Sequence, residues 1–349
     1  MQEVLVSLLM ISVALSQLID IGYSETRYNV LDYGAIGDGQ TDDSEAFVKA
    51  WKAACGTAEA GDLTTLIVPP ETFSLQPVIF AGPCTSKTMH FVEQSTARVQ
   101  LGGGMRRTAK DQSPGAHIGI NQCNNIDIHH LTISAPEDSP NTDGIDISNS
   151  THVNIHDTYI GTGADCIAIH TGSSDVNITN IACGPGHGIS VGSLESHGAY
   201  EAVGNIYVKG SSFNRTQNGA RIRTWPGGSG YVKNITFEDI TLTAAKNPII
   251  IDQFDCDDKH GCTNKTLSAV SVSNVRYIGF EGTCGNEEAI VLNCSQISGC
   301  QNIVIEHVSI TSAVPGKKVY ATCKHAKGTC TDTNVPVSCL KGNPNSIAP

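Results

Sequence analysis

The chain has 349 residues, 22 of them Lys or Arg and 34 Asp or Glu, for a net charge of −12. Only 16% of residues are charged, against the roughly 25% usual in globular proteins. Asn, Ser, Thr and Gly must carry the surface, and they suit short strands and tight turns better than helices. Net acidity excludes an extended nucleic-acid footprint. Thirteen Cys without paired zinc-type spacing point to disulfides rather than free cytosolic thiols.

In chain order, Val4 to Leu15 is an apolar run too short to span a bilayer. Gly22-Tyr23-Ser24 then puts small residues at the −3 and −1 positions of a cleavage site. The pattern predicts a secretory signal over residues 1–24, then a single domain over 25–349 with no membrane association after removal of the signal. Glu3 and the lack of Lys or Arg before the run leave a buried strand or helix as the alternative. Six Asn-x-Ser/Thr sequons, at Asn149, Asn177, Asn214, Asn234, Asn264 and Asn293, fit an extracellular route. After the signal, YNVLDYGAIGDGQTDD predicts a strand and a Gly-rich turn. A helix follows near Asp43 to Cys55, with Ala46, Phe47, Ala50, Trp51 and Ala54 on one stripe. Asp42, Asp43 and Ser44 supply its N-cap and first-turn negative charge.

Residues Lys87 to Gly115 combine a Gly triplet with a basic run and carry no strand pattern. Beyond them NNIDIHHLTI, THVNIHDTYI, SDVNITNIAC, GNIYVKGSSF, VKNITFEDITL, LSAVSVSNVRYI and QNIVIEHVSIT repeat one text of two short alternating strands. Their aligned apolar positions are Ile126, Val153, Val176, Ile206, Ile235, Val270 and Ile303. A variable period with constant strands predicts an all-β fold, a parallel β-helix whose loops differ in length, with the helix closing its N-terminal end. A leucine-rich repeat would need Leu at fixed offsets, and a β-sandwich would not repeat its strand text.

Three polar motifs fall at matching places in successive repeats: NTDGIDIS with Asp143, GADCIAI with Asp165 and GHGISVG with His187, each 22 residues after the last. In a parallel β-helix, residues one coil apart stack at about 4.8 Å, so two carboxylates and an imidazole would share one face. RIRTW follows, with Arg221 and Arg223 pointing one way and Ile222 into the core, and is expected to continue the ladder. An arginine pair on an acidic protein suits an anionic substrate.

These four motifs, in this order, resemble the polygalacturonases of glycoside hydrolase family 28, most closely the plant secreted and pollen-type branch. VLDYGAIGDGQTDD is similar to the wider pectin-degrading superfamily. The resemblance spans about Tyr28 to Cys339 and implies a right-handed parallel β-helix, a pectin-lyase-like solenoid that hydrolyses α-1,4-linked polygalacturonate with inversion, without cofactor or metal, as a monomer. Carried over by motif, it makes Asp143, Asp165 and His187 catalytic and assigns Arg221, Arg223 and Asn141 to substrate binding. It also implies disulfides Cys55–Cys84, Cys166–Cys183, Cys294–Cys300 and Cys323–Cys339. Cys256 and Cys262 are left to close a short loop, and Cys123, Cys284 and Cys330 remain over.

The departures are specific. The family's Gly-Asp-Asp-Cys is here Gly163-Ala164-Asp165-Cys166, which removes the carboxylate usually assigned as general acid. Asp143 and Asp165 would keep the water-activating role, and no residue matches the proton donor. A non-catalytic pectin-binding protein is therefore the alternative. Arg223 replaces the usual Lys, and Glu195 stands where Gly is usual, adding negative charge near the cleft. Between Lys87 and Gly115 the family would supply two or three further coils, so neighbouring coils are expected to lie unstacked there.

Overall fold

Val153 and Ile155 are buried, whereas Thr151, Asn154 and His156 between and beside them reach the surface. This period of two recurs on strand after strand and commits each to one apolar face. A computed structural model of the chain describes residues 25–56, 63–93, 98–101, 116–139, 142–194, 200–255 and 270–342. Among them the strands wind into two parallel sheets, one of seventeen strands and one of nine. Every pairing is parallel and joins one coil to the next, the signature of a parallel β-helix; the rule for parallel crossovers makes it right-handed.

The apolar columns follow the predicted repeat with one correction. Ile126, Val153, Val176, Ile206 and Ile235 stack in register, but the next member is Val275 rather than Val270, and Ile303 follows it. Val270 is buried just before the strand Ser271–Cys284 begins. The segment LSAVSVSNVRYI offers two valine frames five residues apart, and pairing with the strand Ser229–Ala245 selects the second.

The expected break between Lys87 and Gly115 does not occur where the chain is described. Thr88–Glu93 pairs with Leu63–Val68 on one side and, through Met89 to Val92, with Asn124–His129 on the other. Arg98–Leu101 pairs with Thr72–Leu75 and with Ile133 and Ser134. Met89, Phe91 and Val99 are buried in the common core. Their alternation is the same two-residue pattern in a polar setting, and among the described residues no coil is left unstacked.

Helix α1 (Ser44–Gly56) buries Ala46, Phe47, Ala50, Trp51 and Ala54, as its stripe predicts. It lies against Val78–Ala81, the first strand of the nine-stranded sheet, where Trp51 stacks on Phe80 at 4.7 Å and its indole N–H donates to the Ala81 carbonyl. Asp43 acts differently from expectation. Its carbonyl accepts from Phe47 N–H, but its buried carboxylate turns back to accept from the amides of Ile36 and Gly37 and so clasps the Gly-rich turn. The four disulfides implied by the resemblance are present, and Cys123, Cys284 and Cys330 are free and buried. Cys256, Cys262, Asn141, Asn264, Glu195 and the predicted signal lie outside the described residues. No helix among those described is long and apolar enough to cross a membrane.

Coil corners on the seventeen-stranded sheet need a left-handed backbone, which Asn tolerates better than most residues. Asn205, Asn234, Asn274 and Asn302 occupy one such column, with φ of 58°, 58°, 55° and 54°. Each amide donates to the residue one coil below, starting at Asp175, over 2.8–3.0 Å.

Candidate active site

Asp143, Asp165 and His187 come from three neighbouring coils of the nine-stranded sheet. Ile145, Ile167 and Ile189, two residues beyond each, pair directly, so the equal 22-residue step is one coil of the solenoid. The Asp165 amide donates to Asp143 Oδ1 at 2.8 Å, and the His187 amide donates to the Ala164 carbonyl at 2.6 Å. Buried His117 anchors the other side of Asp143 through Nδ1 and its carbonyl, 2.9 Å apart. The disulfide Cys166–Cys183 ties the residue after Asp165 to the following coil.

The glycines around His187 do more than expose it. Gly188 has φ +94°, and a Cβ there would lie 2.4 Å from the carbonyl oxygens of both Asn218 and Gly219. Only glycine lets the chain pass so close to the next coil. The half-buried His187 ring makes no side-chain hydrogen bond to another described residue, which leaves both nitrogens for a ligand. Burial pushes its pKa down, with Arg221, Arg223 and Lys246 adding to the effect and Asp165 opposing it.

The arginine pair departs from the expected ladder. The coil after His187 is 31 residues long at this sheet, so Asn218 rather than an arginine sits over His187, and Arg221 pairs with Ser190. Arg221 is buried and runs back along the stack. Its Nε donates to Ser190 Oγ at 2.8 Å, and one terminal nitrogen donates to both Asp165 oxygens at 2.6 and 2.9 Å. These bonds hold Asp165 from the following coils. Arg223, partly exposed, lies 3.8 Å from Asp165 and 3.1 Å from Asp255. Ile222 points into the core as predicted.

Several residues of the site were not singled out from sequence. Asp146, one coil below Ala168 in the Ser190 and Arg221 column, is buried, and its Oδ1 has no hydrogen-bond partner among the described residues, lying 3.7 Å from His170 Nε2. Its place in GIDIS, three residues after Asp143, was the available signal. A carboxyl oxygen or nitrogen from each of Asp143, Asp146 and His170 lies within 4.8 Å of the others, so this group could also hold a cation. A cleft beside His187 is lined by Glu137, Arg215, Gln217 and exposed Lys246, charged and polar groups outside the repeated strand text.

The two carboxylates have different surroundings. Burial, then the negative charges of Asp165 and Asp146, push Asp143 up to about 9, so it holds a proton at neutral pH. Asp165, nearly fully buried, is ion-paired to Arg221. One wall thus presents an acid able to donate a proton, a carboxylate held by a guanidinium, and an imidazole. Ala164, between the coils that carry them, is fully buried and offers no ionisable group.

The family model for glycosyl hydrolases family 28 matches residues 103–339. A probable polygalacturonase of Arabidopsis thaliana is 38% identical over an alignment covering 91% of this chain and 81% of that protein. A polygalacturonase of Malus domestica is also 38% identical, covering 81% of this chain and 74% of its own. Among solved structures, the endo-xylogalacturonan hydrolase of Aspergillus tubingensis superposes with a TM-score of 0.58 at 20% identity, covering 91% of this chain and 99% of that one. The exopolygalacturonase of Thermotoga maritima gives 0.55 at 15% identity, covering 92% of each chain. At these identities the two structures speak for the pectin-lyase-like β-helix alone, whereas the family match and the plant relatives speak for ancestry. The chain belongs to the glycosyl hydrolases of family 28.

Proposed function

We propose that the chain is a secreted polygalacturonase-type enzyme that hydrolyses the α-1,4 linkages of polygalacturonate with inversion, at a rate lowered by Ala164. Asp143, a less favourable donor standing in for the carboxylate that Ala164 lacks, passes its proton to the departing oxygen, and Asp165, oriented by Arg221, activates the attacking water. His187 faces the sugar, while Arg223, Lys246 and Arg215 receive the substrate's carboxylates, and the Asn-Thr-Asp motif assigns Asn141 to substrate binding as well. Arg221 serves by positioning Asp165. The observation that carries this reading is the unlike setting of the two aspartates: burial and neighbouring charge raise Asp143, whereas Asp165 is ion-paired to Arg221. Inverting hydrolysis needs one carboxyl group that gives a proton and another that activates water. The four disulfides and the exposed sequon residues Asn149, Asn177 and Asn214 support an extracellular setting, the cell wall being where this substrate lies. Asn214 is the best acceptor, because Asn149 and Asn177 donate to neighbouring coils.

The test is reducing-end release from polygalacturonate. The native chain is expected to be slow, and Ala164→Asp to raise turnover by about 10²- to 10⁴-fold, the usual worth of a general acid. No gain would mean that the missing carboxylate does not limit the rate. The second reading, a pectin-binding protein without turnover, is favoured by the burial of Ala164 and the engagement of both Asp165 oxygens by Arg221. It predicts oligogalacturonate binding in a calorimeter with no product.

A further inference from the structure

On the seventeen-stranded sheet, away from the strands that carry the catalytic aspartates, three successive coils bring imidazoles around one carboxylate. His90 pairs with Asp127, and His129, two residues further on the same face, pairs with His156. The Nε2 atoms of His156, His129 and His90 face the Asp127 carboxylate at 3.4, 3.9 and 4.0 Å. These separations exceed a hydrogen bond, which closes to about 2.7–3.2 Å. They approach the edge of a tetrahedron around Zn²⁺, about 3.3–3.4 Å for metal–ligand bonds near 2.0–2.1 Å. One ligand atom from each of Asp127, His129 and His156 falls within 4.8 Å of the other two.

The outer contacts prepare these groups as ligands. His156 Nδ1 lies 2.7 Å from Asp157, which fixes its proton there and leaves Nε2 with a free lone pair. His129 Nδ1 is 2.6 Å from Nδ1 of His130, an arrangement that does the same when His129 donates. Asn154 donates to Asp127 Oδ1 at 2.5 Å and holds the carboxylate in place. The rings of His129 and His156 stack at 4.8 Å, one coil apart, and so project their Nε2 atoms side by side.

We propose that Asp127, His129 and His156, with His90 as a fourth ligand from the neighbouring coil, bind a divalent transition metal such as Zn²⁺. Imidazole donors select such an ion over Ca²⁺ or Mg²⁺. The ion staples three coils, Thr88–Glu93, Asn124–His129 and Thr151–Gly161, and takes no part in hydrolysis. Zinc-type spacing is absent from the sequence because the ligands come from different coils.

Titration calorimetry of the metal-free full-length chain is expected to show one saturable Zn²⁺ site that Ca²⁺ does not fill. It should be lost in His129→Ala/His156→Ala, weakened about 10- to 100-fold in His130→Ala and retained in His170→Ala. A hundredfold excess of Zn²⁺ over its Kd should raise the melting temperature by roughly 5 °C. Zn²⁺ binding unchanged by the paired substitution, or abolished by His170→Ala, would overturn the proposal. Should the paired variant fail to fold, diethylpyrocarbonate labelling of the native chain decides. Zn²⁺ is expected to protect His129 and His156 but not exposed His325, and equal labelling of all three with and without the metal would refute the site.

Discussion

The two sheets stack their coils in the same way but treat polar side chains differently. On the seventeen-stranded sheet the Asn205 to Asn302 column satisfies each amide with the one below, at ordinary distances and near the surface. On the nine-stranded sheet Asp143, Asp146 and Asp165 crowd together, one Asp146 oxygen is buried without a partner, and a buried arginine is needed to hold Asp165. A polar ladder that closes on itself is structural, whereas one that leaves charge and protons in conflict is a site built for chemistry. That contrast can be broken experimentally.

The largest effect is expected at Asp143. Asp143→Asn should remove residual hydrolysis by about 10²- to 10⁴-fold in kcat. In the native chain kcat/KM should fall as pH rises through the Asp143 pKa of about 9, because the proton to be donated is lost there. The same group affects stability in the same direction. It binds its proton more tightly folded than unfolded, so its contribution is complete below about pH 4 and declines as pH rises toward the folded value. Urea unfolding across that range should show a shallower pH slope in Asp143→Asn. Arg221→Ala comes next: leaving buried Asp165 without its hydrogen-bonded guanidinium, with only Arg223 at 3.8 Å, should cost about 3–5 kcal/mol in denaturant unfolding, and Arg221→Lys should restore the charge but not the two-oxygen grip. If Lys246 meets substrate as an exposed cation, Lys246→Ala should raise KM only about two- to fivefold with kcat little changed. On the opposite sheet, Asn234→Ala should cost about 1 kcal/mol and leave kinetics untouched. A kinetic effect there would erase the distinction between the two sheets.

Much of this contrast was legible in the sequence. The 22-residue step between Asp143, Asp165 and His187 is a coil length, and the α1 stripe is a helical face, because both rest on local periods that the fold preserves. What failed depended on loop lengths. The 34-residue step to Arg221 overran a 31-residue coil, which moved the arginine onto Ser190 and back toward Asp165. A second valine frame displaced Val270, and a Gly triplet obscured the buried Met89 and Phe91. Asp146 and the protonation of Asp143 escaped for a different reason. Both arise from burial and like-charge crowding across coils, which one line of residues does not display.

Helix α1 has a consequence for how these molecules behave toward one another. The outermost strand of the cleft-bearing sheet, Val78–Ala81, would otherwise offer unpaired amides and carbonyls as a template for a foreign strand. Trp51 fills one of those carbonyl positions with an indole donor, and the helix, tethered by Cys55 to Cys84, cannot itself be extended as a strand. Growth by addition is blocked at this face, so a fold based on open-ended repetition stays finite, and replacing Trp51 should first show itself as fibre formation.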